Sequence, residues 1–267
     1  MSNTLSRTGW LYFLALAFVL AITPLPAHAQ SNITADVLKR GVLRVGTVAG
    51  DAPYSSINPS GEPEGYDVEI AKAFATSLKL KTEFTIVDSP GRITALQTHK
   101  VDIVVANFTY TPERSTAVAF TEPYLIVGVS FIVPKNSPIK SVDELNSPDR
   151  KISSPRGSTS AQTAGDIAPK ASLVLFENVN DAYLAMKSGQ ADAAASENIA
   201  AAADMAKDPD IRVLPGVYSY EEIAIGVPAG DFDWWRIVNS WVHQFNHSGA
   251  NAALFKKTVG SEMPPLQ

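Results

Sequence analysis

Cysteine is absent from the 267 residues of this chain. Its absence excludes a disulfide scaffold, a thiolate metal site, a cysteine nucleophile and an N-terminal cysteine for lipid attachment. Basic residues are in short supply as well: 22 Lys and Arg face 27 Asp and Glu, a formal charge of −5. That balance argues against a nucleic-acid partner, because neutralising phosphates takes a basic face. Phosphate-loop and dinucleotide fingerprints do not occur, and "GSTSA" lacks the second glycine of a nucleophile elbow.

Long apolar runs are also missing except near the start, where Arg7 precedes the stretch Trp10 to Ile22, then Pro24, Pro26 and Ala27-His28-Ala29. At about 13 residues this run falls short of the roughly 20 that a spanning helix needs. A positive n-region, a short apolar h-region and a small-x-small site predict a signal peptide over residues 1–29, cleaved after Ala29. Its removal takes away Arg7 and no acid, so the formal charge goes from −5 to −6. The exported, unanchored product is expected in the periplasm of a Gram-negative bacterium, and it is long enough for two lobes of about 100 to 120 residues.

What remains alternates between strand and helix patterns. "GVLRVGT" reads as a first strand, and "GYDVEIAKAFATSL" as a helix with Val68, Ala71, Phe74, Ala75 and Leu78 on one face. "KTEFTIV", "PGRITALQTHK" and "VDIVVA" continue as strand, short helix and strand, an order that predicts a parallel sheet. Thr111-Pro112-Glu113 then combines an N-cap, a proline at the first helical position and an acid in the first turn. After "GVSFIVP" the pattern restarts, giving a second α/β unit through "ENIAAAADMAK". "IRVLP" and "EEIAIGVP" are later strands, and "DWWRIVNSWVHQFNHSG" is a long helix whose Trp234, Ile237, Val238, Trp241 and Phe245 are expected in the core.

The segments "GVLRVGT", "APYS", "GYDVEIAKAFA", "ALQTHKVDIVVANFTYTPERSTAVAFTEPYL", "RGSTS", "AMKSGQADAAASE" and "KKTVGSEMPP" stand in an order and spacing that resembles the periplasmic solute-binding proteins of ABC transporters, in the group that binds polar amino acids. The resemblance covers nearly all of the chain beyond residue 29. It implies a two-lobed periplasmic binding protein fold, two α/β domains joined by two hinge strands. Lobe one would be 30–131 with 226–267, lobe two 132–225, and the hinges would lie near Ser130 to Pro134 and Ala224 to Val227. It further implies a monomer that binds a free amino acid and delivers it to an inner-membrane ABC permease, with no cofactor and no metal.

The resemblance also assigns roles. Arg114 would accept the ligand's α-carboxylate bidentately, as a planar guanidinium can. Thr109 and, from the opposite lobe, Thr159 at a helix start would add donors to the same group. Asn107 would meet the α-ammonium through its backbone. Glu197 stands where the family has an aspartate for that ammonium, one methylene longer here. Asp51 replaces a usual aromatic, and Tyr54 is expected as a pocket wall. Ser89 and Arg92 resemble the pair that meets the distal carboxylate in members binding glutamate or aspartate, although Asp51 is an alternative partner for Arg92. Two arginines at one cleft favour acidic amino acids, with neutral polar ones next, because a neutral ligand leaves a buried charge incompletely paired.

Rival classes are a dehydratase acting on prephenate or arogenate, with Glu197 as general acid, and a periplasmic ligand sensor. His243 and His247 lie four apart on a helix, a spacing that can chelate zinc, but no third ligand is evident in the sequence.

Overall fold

The computed structural model describes residues 32–266, so the signal-peptide expectation lies outside the described residues. Among the described residues no helix is long and apolar enough to cross a membrane. The described residues form twelve strands: β1 Val42–Thr47, β2 Ser56–Ile57, β3 Pro63–Glu64, β4 Lys81–Ile86, β5 Ile103–Val104, β6 Val118–Val127, β7 Val129–Pro134, β8 Lys151–Pro155, β9 Ser172–Phe176, β10 Ala193–Glu197, β11 Ile211–Val213 and β12 Glu221–Pro228. They build two five-stranded sheets, ordered β4-β1-β5-β12-β6 and β11-β7-β10-β8-β9, while β2 and β3 form a small hairpin.

Each large sheet has a parallel part and an antiparallel part. In the first, β1 runs parallel to β4 and β5, as the βαβαβ order demands, and β12 closes antiparallel onto β5 and β6. In the second, β8 runs parallel to β9 and β10, and β7 lies antiparallel to β10 and β11. The two-lobed α/β expectation therefore holds. The expected core helix, Phe232–His247, buries Trp234 and Val238 fully against the first sheet. The Trp234 indole N–H donates to the Asp102 carbonyl at 2.9 Å, and Phe74 packs 5.9 Å from Trp234 and 5.3 Å from Trp241. Ile237, Trp241 and Phe245 pack against the same core.

One expectation needs correction. The apolar run Val101 to Ala106 yields a strand of only two residues, because Asn107 turns out of the sheet with φ 44°. The short partner contact at Gly226 is set by Phe108: a Cβ at Gly226 would lie 3.0 Å from that ring. The segments expected as hinges, Ser130 to Pro134 and Ala224 to Val227, lie inside β7 and β12. Sheet pairing runs through Val127 and begins again at Glu221, so the chain changes sheet at Gly128 and between Val213 and Glu221. The two crossings touch there. A Cβ at Gly128 would fall 2.2 Å from the Ser219 carbonyl oxygen, and the Val129 amide donates to Ser219 Oγ at 2.9 Å. We infer lobe limits at these crossings, a few residues before the expected ones.

Candidate functional site

The ends of β1, β5 and β10 and the start of the helix Thr159–Ile167 converge between the two sheets, where open α/β sheets expose strand ends to ligands. Asp51, Ser89, Arg92, Asn107, Thr109, Thr159 and Glu197 together line a cavity of about 20 Å³ there. That is room for about one water. A larger cavity of about 540 Å³ adjoins it and shares Asp51, Ser89, Arg92 and Val179 as walls. Sequence reasoning thus brought seven residues to one place from segments more than a hundred residues apart.

Several side chains here carry buried acceptor atoms without a partner among the described residues. Asp51 is buried and its Oδ2 accepts from the Asn107 side-chain amide at 3.1 Å, but Asp51 Oδ1, Asn107 Oδ1 and Ser196 Oγ are buried without a hydrogen-bond partner among the described residues. Buried polar atoms are normally paired, so this cluster is unusual. Glu197 joins it at the end of β10, 7% exposed. Burial holds the Glu197 carboxyl up at about 8, with the charge of Asp51 adding to the effect. Burial likewise raises Asp51 to about 6, against the opposing effects of Asn107 and Arg92.

Asn107 is fixed by groups that sequence reasoning overlooked. Its amide donates to Asp67 Oδ2 at 2.6 Å, and the Tyr124 hydroxyl donates to Asp67 Oδ1 at 2.8 Å. Asp67 is itself fully buried, which pushes its carboxyl up to about 7. The Asn107 amide is therefore occupied, its carbonyl accepts from Arg92, and its side-chain amide reaches Asp51 Oδ2.

Arg92 makes three hydrogen bonds within the chain. Its Nε donates to the Ser89 carbonyl at 3.0 Å, and its Nη1 donates to the carbonyls of Ala106 at 3.0 Å and Asn107 at 3.1 Å. Only Nη2 has no hydrogen bond among the described residues, and Asp51 bonds Asn107 instead of pairing with Arg92. Burial, then the neighbouring Arg114 charge, lowers the Arg92 guanidinium to about 9.

Arg114 follows the expected N-cap, with its amide donating to Thr111 Oγ1 at 3.1 Å. Its guanidinium spans the two lobes: Nη1 donates to the Thr109 carbonyl at 2.7 Å and Nη2 to the Gly157 carbonyl at 3.1 Å. The guanidinium carbons of Arg92 and Arg114 lie 4.6 and 5.2 Å from the centre of the Phe108 ring, a cation–π arrangement for both. Between Thr109 and Thr159, where a ligand carboxylate was expected, stands the carboxylate of Glu221. Its Oε2 accepts from Thr109 Oγ1 at 3.0 Å and from Thr159 Oγ1 at 2.6 Å, and its Oε1 accepts from Ser219 Oγ at 2.9 Å. Tyr54 is no wall. It is fully buried in the core of the first lobe, and its hydroxyl has no partner among the described residues.

Comparison with known proteins agrees with this architecture. Residues 43–261 match the model of the bacterial extracellular solute-binding proteins, family 3. The glutamine-binding protein of Geobacillus stearothermophilus is 35% identical over 202 residues, covering 74% of this chain and 77% of the relative. The ABC transporter glutamine-binding protein GlnH of Bacillus subtilis (strain 168) is 36% identical over 208 residues, covering 76% and 75%. Among solved structures, the ancestral amino acid-binding protein AncCDT-1, a precursor of cyclohexadienyl dehydratase, superposes with a TM-score of 0.79 at 37% identity, covering 84% of this chain and 98% of that one. With its two α/β lobes, its cleft at the strand ends and a match over most of its length, this chain belongs to the bacterial extracellular solute-binding proteins, family 3.

Proposed function

We propose that the protein is a periplasmic receptor that closes on a free amino acid and hands it to an inner-membrane ABC permease. The observation that carries this reading is the set of unsatisfied acceptors around the small cavity: Asp51 Oδ1, Asn107 Oδ1 and Ser196 Oγ, beside the Glu197 carboxylate. An α-ammonium brings three N–H donors and a positive charge, which matches such a set in number and sign. Names of the relatives point the same way, since two of them are glutamine-binding proteins.

Arg114, Thr109 and Thr159 would receive the ligand's α-carboxylate, in competition with Glu221. Contacts from both lobes make closure depend on ligand, because only the closed form offers all of them. The ligand's side chain would extend into the adjoining 540 Å³ cavity past Asp51, Ser89 and Arg92.

For the side-chain class, a neutral polar group of the glutamine type fits best. Arg92 donates to three carbonyls and retains one nitrogen without a hydrogen bond among the described residues, while Asp51 and Glu221 already add negative charge. An acidic side chain is the second reading, supported by Ser89 and Arg92 lining both cavities. A thermal-shift screen against the common amino acids separates them. A bound ligand at a hundred times its dissociation constant adds about 2.7 kcal/mol of stability. Stabilisation by glutamine above glutamate and aspartate supports the first reading, the reverse order supports the second, and no response to any amino acid removes the receptor proposal. A dehydratase keeps one specific point in its favour: a carboxyl held at about 8, as in Glu197, is protonated at neutral pH and can act as an acid. Turnover of prephenate would establish that activity.

A further inference from the structure

The outer face of the first lobe carries a cluster unrelated to the cleft. His243 and His247 lie one turn apart on the helix Phe232–His247, so both imidazoles leave the same side. The sequence offers them no third ligand, but the fold brings Glu122 of β6 alongside, and one ligand atom from each of the three residues lies within 4.8 Å of the others. We propose that Glu122, His243 and His247 bind a divalent first-row cation of the zinc type.

Three features of the cluster support this. His243 Nδ1 and Glu122 Oε2 are 3.1 Å apart. Two donors on one tetrahedral zinc, with bonds of about 2.0–2.1 Å, stand about 3.3 Å apart. A cation held by that nitrogen and that oxygen therefore fits between them with almost no movement of either residue, the ring hydrogen of His243 then standing on Nε2. His247 Nδ1 lies 2.8 Å from the His243 carbonyl. A carbonyl only accepts, so Nδ1 carries the hydrogen and Nε2 keeps its lone pair for a metal. Glu122 Oε1 accepts from the Asn246 side-chain amide at 3.2 Å, and Asn246 also donates to the Pro123 carbonyl at 2.9 Å. The carboxylate is thus aimed by a neighbour, as metal-binding carboxylates commonly are.

His243 is well exposed, with 60% of its side chain accessible, and exposed imidazoles turn at little cost to complete the ligand set. Glu122 and His247 also border a cavity of about 590 Å³ whose other walls include Asn251, Met263 and Pro264. An ion here keeps a fourth position open toward that space, as three-ligand zinc sites do. Two imidazoles with one carboxylate select zinc, nickel or copper over calcium and magnesium, which prefer all-oxygen sites.

The test uses tag-free, chelator-stripped protein titrated with Co²⁺ and, in competition, Zn²⁺, read by calorimetry and by the visible absorption of bound cobalt. One equivalent of Zn²⁺ is expected, with no binding of Ca²⁺. His247→Gln should weaken zinc at least tenfold, and Asn246→Ala, acting through the orientation of Glu122, by about tenfold. Amino-acid binding in the cleft should be unchanged in both variants, so the fate of this site is independent of the receptor reading. If the double variant His243→Ala/His247→Ala, shown folded by its melting curve, binds Zn²⁺ as tightly as the unaltered protein, the proposal is wrong.

Discussion

Thr159 donates its hydroxyl to Glu221 Oε2 at 2.6 Å, across the cleft between the two sheets. Thr109 donates to the same oxygen from the first lobe at 3.0 Å. A carboxylate that belongs to the chain thus holds both hydroxyls assigned to the ligand's carboxylate. If the two compete, Glu221→Gln should tighten amino-acid binding by about tenfold, since a hydrogen bond to a charged group contributes about 1.5–3 kcal/mol and the amide competes less well. Calorimetric titration of the variant checks this. Unchanged or weaker binding would make Glu221 a supporting member of the site instead of a rival to the ligand.

The guanidinium of Arg114 should be irreplaceable. Arg114→Lys keeps the charge but loses the planar fork that reaches two oxygens at once, and it should weaken every amino acid by about a hundredfold or more. Wild-type affinity in this variant would remove Arg114 from the carboxylate site. Arg92→Gln separates the ligand classes: an equal loss for glutamine and glutamate marks Arg92 as a support for the Ala106 and Asn107 carbonyls, whereas a loss confined to glutamate marks a side-chain contact.

Binding should depend on pH in a defined direction. Asp51, Asp67 and Glu197 are held up at about 6, 7 and 8 by burial. In the unfolded chain such groups lose their protons near pH 4. Between about pH 4 and 8 the folded protein therefore binds more protons than the unfolded one, and its stability without ligand falls as pH rises through that window. An ammonium favours the ionised carboxylates, so ligand affinity should rise from pH 6 to 8 with release of protons. Titrations in buffers of different ionisation enthalpy measure that release. Affinity that falls over the same range would contradict ammonium recognition by Glu197 and Asp51.

Asp102 anchors the first lobe away from the cleft. It is 2% exposed and accepts from the Arg44 amide at 2.8 Å, from Arg44 Nη2 at 2.6 Å and from Arg40. Asp102→Ala should lower stability by about 3 kcal/mol, the low end for breaking a buried pair, because both arginines reach solvent. Denaturant unfolding should show a lower midpoint with an unchanged slope.

The pattern of strands and helices was legible because apolar spacing reports which face each element buries, and the two α/β units follow from it. The residues proposed for the cleft came from the resemblance of motifs such as Thr111-Pro112-Glu113-Arg114 to those of the family, whereas the local sequence marks Thr111 only as a helix cap. Glu221 was not legible. It reads as one of two acids opening a strand, and its partners Thr109 and Thr159 lie 112 and 62 residues away. The burial of Tyr54 and Asp67 was not legible for a related reason: it depends on how the β2–β3 hairpin and the helix Tyr66–Ser77 pack, which no periodicity encodes. Glu122 reaches His243 across 121 residues, so the third member of that cluster appears only once the helix docks on β6.

Ammonium recognition by the unsatisfied acceptors of Asp51, Asn107 and Ser196 is best judged by titrating the protein with glutamine and with the same molecule lacking its α-amino group. Loss of the amino group should cost at least a hundredfold in affinity, about 2.7 kcal/mol, since it removes a charge and three donors from a buried site. Equal affinity for the two compounds would show that the cavity beside Glu197 does not hold an ammonium.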